Sequence, residues 1–213
     1  MGRKIRVILY IQCACYVGGY RMKQAIYGLV LYVFLMLPPV VALTESIMSI
    51  HMHIQMPLLG IVGLLMTPFL QERFPAFFEK WNRNGIPGIV LFMIIVIYWL
   101  IPRTMDEALT IPIVEAFKFI SWPFLIGVPL RDSWRKLSTL SKNLVFMSIS
   151  MIFGFMAWLY IASPDQICNN YLIVEQRALG WGFLIIAACI MLYFIQSLFI
   201  DETEYESTTE TET

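Results

Sequence analysis

Asn-Leu-Val-Phe-Met-Ser-Ile-Ser-Met-Ile-Phe-Gly-Phe-Met-Ala-Trp-Leu-Tyr-Ile-Ala, residues 143–162, carries no charged side chain. As an α-helix this stretch would cross about 30 Å of hydrocarbon. Similar apolar runs lie near residues 24–43, 46–70, 86–101, 111–130 and 180–200. They are continuous and do not alternate between apolar and polar positions, which excludes a membrane barrel. Only a helical bundle then satisfies the backbone inside lipid. The reading is an all-α, polytopic transmembrane helical bundle of about six spans, with a short N-terminal apolar segment. Composition agrees, since 14% of the 213 residues are charged and 59% apolar, with a mean hydropathy of +0.71. A soluble domain of this length would not need so apolar a chain to fill one core. The 86–101 run is the shortest and is expected to use Trp99 and its neighbours as an interfacial end.

The hydrophilic connections are too short to hold a soluble domain, so function must reside in the bundle or at its rims. Three regions follow: a basic and apolar N-terminal segment 1–23, the bundle 24–200, and an acidic tail 201–213. Residues 7–19 follow Arg3, Lys4 and Arg6 as in a signal peptide, but they lack an Ala-x-Ala cleavage pattern and are too short to span comfortably. They read as an interfacial anchor. The tail, mostly Glu and Thr, cannot bury enough surface to fold and reads as disordered.

Charge carries the topology. Arg3, Lys4, Arg6, Arg21 and Lys23 precede the first run; Arg73, Lys80 and Arg83 follow the second; Arg131, Arg135, Lys136 and Lys142 follow the fourth. The alternate connections hold only Arg103 and Arg177, and Lys118 lies within a run. The positive-inside rule then places both termini in the cytoplasm. With topology accounting for the basic loops, nucleic acid is not an expected partner, and membrane lipid is. No phosphate-binding loop or nucleophile motif is present.

The candidate site chemistry lies in Ser46–Met56, where His51 and His53 stand among Met48, Met52 and Met56. Histidine inside a membrane marks a functional site by default. Imidazole and thioether together suit Cu(I) better than hard cations, so copper is the expected cofactor. On this topology His51 sits on the order of 7 Å below the outward end of its helix. At 100° per residue, Met48, His51, Met52 and Gln55 share one stripe, whereas His53 is rotated about 200° from His51. Both histidines could hold one ion only if Pro57, which leaves the His53 carbonyl without its helical donor, distorts that turn. The competing reading is structural, with a neutral histidine packing helices and methionine as filler.

Other polar groups are weaker signals. Glu115 and Lys118 are three residues apart and are expected to pair within the fourth run. Glu115 also lies near the outer end, where it could face His51. Asp106, Glu107, Asp165 and Glu175 make the outer rim acidic, which solvated loop charges explain. Cys13 and Cys15 form a lone Cys-x-Cys, and Cys168 and Cys189 fall at different depths, so no disulfide framework is expected.

Three motifs resemble the CtaG-like family of bacterial cytochrome c oxidase assembly factors. They are His-Met-His-Ile-Gln-Met (51–56), Ser-Trp-Pro-Phe-Leu (121–125) and Glu-Gln-Arg-Ala-Leu-Gly-Trp-Gly (175–182). His51 and Met52 match the start of the family's His-Met-x-Gln-His. Gln55 stands where the second histidine falls, Ile54 replaces the family's Gln, and Glu175-Gln176 matches an acidic-Gln pair. The resemblance implies a bacterial inner-membrane protein that is not an enzyme and that helps place copper in a respiratory oxidase, whose subunits would be its partners. It also implies His51, His53, Met48, Met52 and Met56 as metal ligands, with Glu115 and Glu175 orienting an imidazole from behind. The alternatives are a b-type haem protein for electron transfer and a transporter or structural membrane partner. Two histidines on one run make bis-histidine haem ligation within one subunit improbable. Pro38, Pro39, Pro57, Pro112, Pro123 and Pro129 interrupt the runs as in discontinuous transporter helices, but a charged midplane is lacking.

Overall fold

The computed structural model describes residues 21–199, with side chains through residue 197. Most of the N-terminal segment, Cys13 and Cys15 included, and the acidic tail lie outside the described residues. Within them the secondary structure is entirely helical, and the chain divides into two compact units at Leu137 and Ser138.

The first unit holds seven helices. They are α1 (Arg21–Leu35), α2 (Pro38–Glu45), α3 (Met48–Arg73), α4 (Pro75–Trp81), α5 (Ile86–Leu100), α6 (Pro102–Thr110) and α7 (Pro112–Trp134). Proline punctuates them: Pro38, Pro75, Pro87, Pro102 and Pro112 each stand in a first turn. There the missing N–H has no helical partner to lose. The second unit is the pair α8 (Thr139–Ala162) and α9 (Ile173–Phe199).

Four helices, α3, α7, α8 and α9, are each long and apolar enough to cross a membrane. Two further pairs pass the same test only together: α1 with α2, bent by 71°, and α4 with α5, bent by 84°. Four to six spans result, and the protein is a multi-pass membrane protein. The first bend falls at Met36-Leu37, since Pro38 biases the residue before it away from helix. The second contains Gly85, whose φ of 75° lies in the left-handed region that favours glycine. At 15 residues α5 is about 22 Å long, short of a full hydrocarbon crossing.

Trp99 is buried, and its indole N–H donates to Ser121 Oγ at 2.9 Å, tying α5 to α7. Two sequence expectations change. Residues 102–110 are not a simple connection. They form an amphipathic helix that buries Thr104, Met105 and Ala108 and exposes an Arg103–Glu107 ion pair. Arg21 and Lys23, expected ahead of the first span, belong to the first turns of α1.

The core of the first unit joins Leu35 of α1, Leu59 and Val62 of α3 and Phe119 of α7, with Tyr32, Val41 and Trp122 packed against them. The helices α3 and α7 cross where Gly60 and Gly63 meet Pro123 and Gly127. A methyl group added at Gly63 would overlap the Pro123 carbonyl, and one added at Gly127 would overlap that of Gly60. Small residues that let backbones touch are the usual basis of helix association in lipid, where apolar side chains gain nothing from leaving the solvent.

Candidate metal centre

Two turns of the first unit are wider than α-helical, and both follow from a proline. In α3 the π segment His51–Gln55 ends with the Met56 N–H bonded to the His51 carbonyl, five residues back, immediately before Pro57. In α7 the segment Trp122–Gly127 ends with Val128 N–H on the Pro123 carbonyl, immediately before Pro129. A proline ring crowds the carbonyl four residues back and disfavours helical geometry in the residue before it, and widening the turn relieves both. Single π turns of this kind recur at functional sites.

The π turn in α3 decides which side chains gather. On an ideal α-helix, Met56 would be rotated 140° from His51. With the hydrogen bond running five residues back, the buried positions become His51 and Met52, then Gln55 and Met56, then Leu59 and Gly60. Met48 begins the same stripe and is fully buried. Met48, His51, Met52 and Met56 therefore share the inner face, while His53 is half-buried and off it. The distortion at Pro57 adds Met56 to the set and leaves His53 apart.

His51 is wholly buried, and neither ring nitrogen has a hydrogen-bond partner. Gln55, one turn on, is also wholly buried with both amide atoms unpartnered. The two side chains are close enough to influence each other but outside hydrogen-bond geometry. On α7, Trp122 Nε1 is a third buried donor without a partner. Orphaned polar atoms at this depth cost about 1–3 kcal/mol each and call for an explanation. A thioether-rich donor set with a free imidazole fits a soft monovalent ion. Among the described residues no three His, Cys, Asp or Glu side chains gather as a metal cage, so the donors α3 offers are imidazole and thioether.

Next to this stripe lies an ion pair that the sequence placed wrongly. Lys118, wholly buried, pairs with Glu45 at the end of α2, not with Glu115. Glu115 is half-buried and interacts with Lys118 only at longer range. The ammonium lies 4.8 Å from the Phe119 ring centroid and within electrostatic range of His51. Glu45 was missed because it stands 73 residues from Lys118. Its signal in the sequence is that it is the one carboxylate between the first two apolar runs.

Glu175 belongs to the second unit, where its carboxylate reaches back to the Leu172 N–H at 3.2 Å and caps the start of α9. Gln176, wholly buried, accepts from the Ile167 N–H at 2.8 Å, and Gln166 donates to the Tyr171 carbonyl at 2.7 Å. Thus the 175–176 pair staples the loop between α8 and α9. Cys168 is buried in that loop and Cys189 is exposed on α9.

A second polar cluster joins α3, α4, α5 and α7 and was not visible in the sequence. Asp132 accepts from Gln71 and Asn82, each at 2.6 Å, and from Lys136 at 2.8 and 2.9 Å. Asn82 also donates to Ser133 Oγ and accepts from the Gly88 N–H, which caps α5. Every one of these groups has partners, so the cluster serves as a structural knot. Its basic member Lys136 is thus more than a topological charge.

No known protein family, curated protein or solved structure matches the chain.

Proposed function

We propose that the protein binds Cu(I) through His51 and the methionines Met48, Met52 and Met56, and that it serves the assembly of a copper-containing respiratory oxidase. One observation carries the metal reading: an imidazole wholly buried, unpartnered at both nitrogens, on a stripe of buried thioethers. Neutral imidazole supplies a firm ligand, and thioethers supply weak, exchangeable ones. Such a set favours handing an ion on over storing it. Bound copper would supply Lewis acidity toward a recipient's ligands, and the chain's own part is to hold, orient and release it. No bond-making reaction is required, so the role is not enzymatic.

The oxidase rests on the resemblance of the 51–56, 121–125 and 175–182 motifs to the CtaG-like family. The bacterial inner membrane and cytoplasmic termini rest on the charge pattern and on that resemblance. His53, off the stripe, is assigned no first role, and the same holds for Glu115 and Glu175. The test is a deletion strain: the oxidase is expected to assemble with little copper and to recover when the wild-type chain, but not His51→Ala, is restored. A fully metallated oxidase in the deletion strain would refute the assembly role. For the haem alternative the readout is a Soret band in the purified protein.

A further inference from the structure

A cavity of about 280 Å³ lies where α1 begins and α3 ends, about 33 Å along α3 from His51. Among the described residues it is lined by Met22, Phe69, Glu72 and Arg73. All four side chains are exposed, so the cavity opens to the surroundings. Because α3 is long and apolar enough to cross a membrane, its end at Arg73 falls at the level of lipid headgroups. The lining is divided between two apolar side chains and one charge of each sign. Neighbours on a helix point about 100° apart, so Glu72 and Arg73 do not face each other. Among the described residues neither forms an ion pair or a side-chain hydrogen bond. A carboxylate and a guanidinium open to one space complement a ligand that carries both an ammonium and a phosphate.

The element that follows points to the same level of the membrane. Bent by 84° from α5, α4 presents Phe77 and Trp81 outward, their rings stacked at 5.9 Å, with Phe74 exposed just ahead of them. Phe77 and Trp81, four residues apart, lie within about 40° of each other, whereas the exposed Glu79 falls about 160–200° away, on the far side of the helix. An aromatic stripe on one side and a charge on the other is the form of an interfacial element. We propose that the cavity binds the headgroup of a zwitterionic phospholipid with a primary ammonium, of the phosphatidylethanolamine kind. Arg73 donates to the phosphate, Glu72 accepts from the ammonium, and Met22 and Phe69 cover the start of the acyl chains. Selectivity follows from the two charges. The trimethylated ammonium of phosphatidylcholine has no N–H to give Glu72, and phosphatidylglycerol brings no cation to it. This inference is independent of the copper reading.

The test uses the full chain, purified in detergent and delipidated. Native mass spectrometry counts bound lipid while dioleoyl phosphatidylethanolamine, phosphatidylcholine and phosphatidylglycerol compete at equal concentration. The wild type should favour phosphatidylethanolamine over either rival by about threefold or more. Glu72→Gln should abolish its advantage over phosphatidylcholine and let phosphatidylglycerol overtake it. Arg73→Gln should weaken phosphatidylethanolamine and phosphatidylglycerol alike. Glu79→Gln makes the same change of charge on the far side of α4 and should leave the order of the three lipids as in the wild type. Water-soluble glycerophosphoethanolamine should not displace the lipid, because Met22 and Phe69 then contribute nothing. Equal binding of the three lipids, a preference unchanged in Glu72→Gln, or the same loss in Glu79→Gln would overturn the specific site and leave ordinary lipid solvation. Displacement by the soluble headgroup would overturn the lipid as the occupant.

Discussion

Proline removes an amide donor and leaves the carbonyl four residues back without its helical partner, and two side chains make good that loss here. Pro68 lies inside α3, and the Leu64 carbonyl it leaves accepts from Arg131 Nη1 at 2.5 Å. Pro123 lies inside α7, and the Phe119 carbonyl accepts from the Tyr32 hydroxyl at 3.2 Å. Each bond also ties one helix to another. Arg131→Met should therefore lower stability by about 1 kcal/mol, the cost of losing a hydrogen bond to a partly buried acceptor, read as thermal unfolding in detergent. An unchanged midpoint would show that water already serves Leu64. Asp132→Ala removes a buried acceptor shared by Gln71, Asn82 and Lys136, and should cost about 3–5 kcal/mol by the same measurement. The stripe Met48, His51, Met52 and Gln55 was legible from 100° arithmetic alone. Glu45–Lys118 and Asp132–Asn82 were not, because such pairs depend on which helices meet, and that is decided by packing far along the chain.

Among the elements, the two π turns show how much a local rule can say. Pro57 and Pro129 announce a disturbed turn, but not whether the helix kinks, breaks or widens. The outcome here is widening, and it brings Met56 beneath His51. Pro57→Ala should restore the ordinary ladder, turn Met56 off the stripe and weaken Cu(I) binding while preserving the helical content seen by circular dichroism. Full affinity in that variant would separate the π turn from the site. The crossing of α3 and α7 is more sensitive. Gly63→Leu cannot be accommodated against the Pro123 backbone, so it should abolish recovery of monodisperse protein in detergent. The starts of α5 and α7, beside Pro87 and Pro112, coincide with the starts of the apolar runs 86–101 and 111–130, whereas Pro38, Pro75 and Pro102 open helices that the runs did not mark. The amphipathic helix α6 was hidden because its segment is short and charged, and the length of an apolar run says nothing of helices that lie outside one.

For the molecule as a whole, the apolar runs set the class directly, because the bilayer tolerates so few backbone solutions. The number of crossings is less legible from the sequence, since α1 with α2 and α4 with α5 are sharply bent pairs and apolar length does not reveal the angle. Orientation is testable at α8, whose two ends must face opposite compartments if it spans. In a background without native cysteines, Thr139→Cys should react with an impermeant thiol reagent only from the cytoplasmic side, and Asp165→Cys only from outside. The reverse pattern would invert the orientation of α8 that the charge distribution predicts. The most direct test of the central claim is the copper content of the detergent-purified chain under reducing conditions, comparing wild type with His51→Ala and His53→Ala. The expected result is near-stoichiometric Cu(I) in the wild type, lost in His51→Ala and largely kept in His53→Ala, with no Soret band. A wild type that stays metal-free in added Cu(I), or copper retained without His51, would contradict the account.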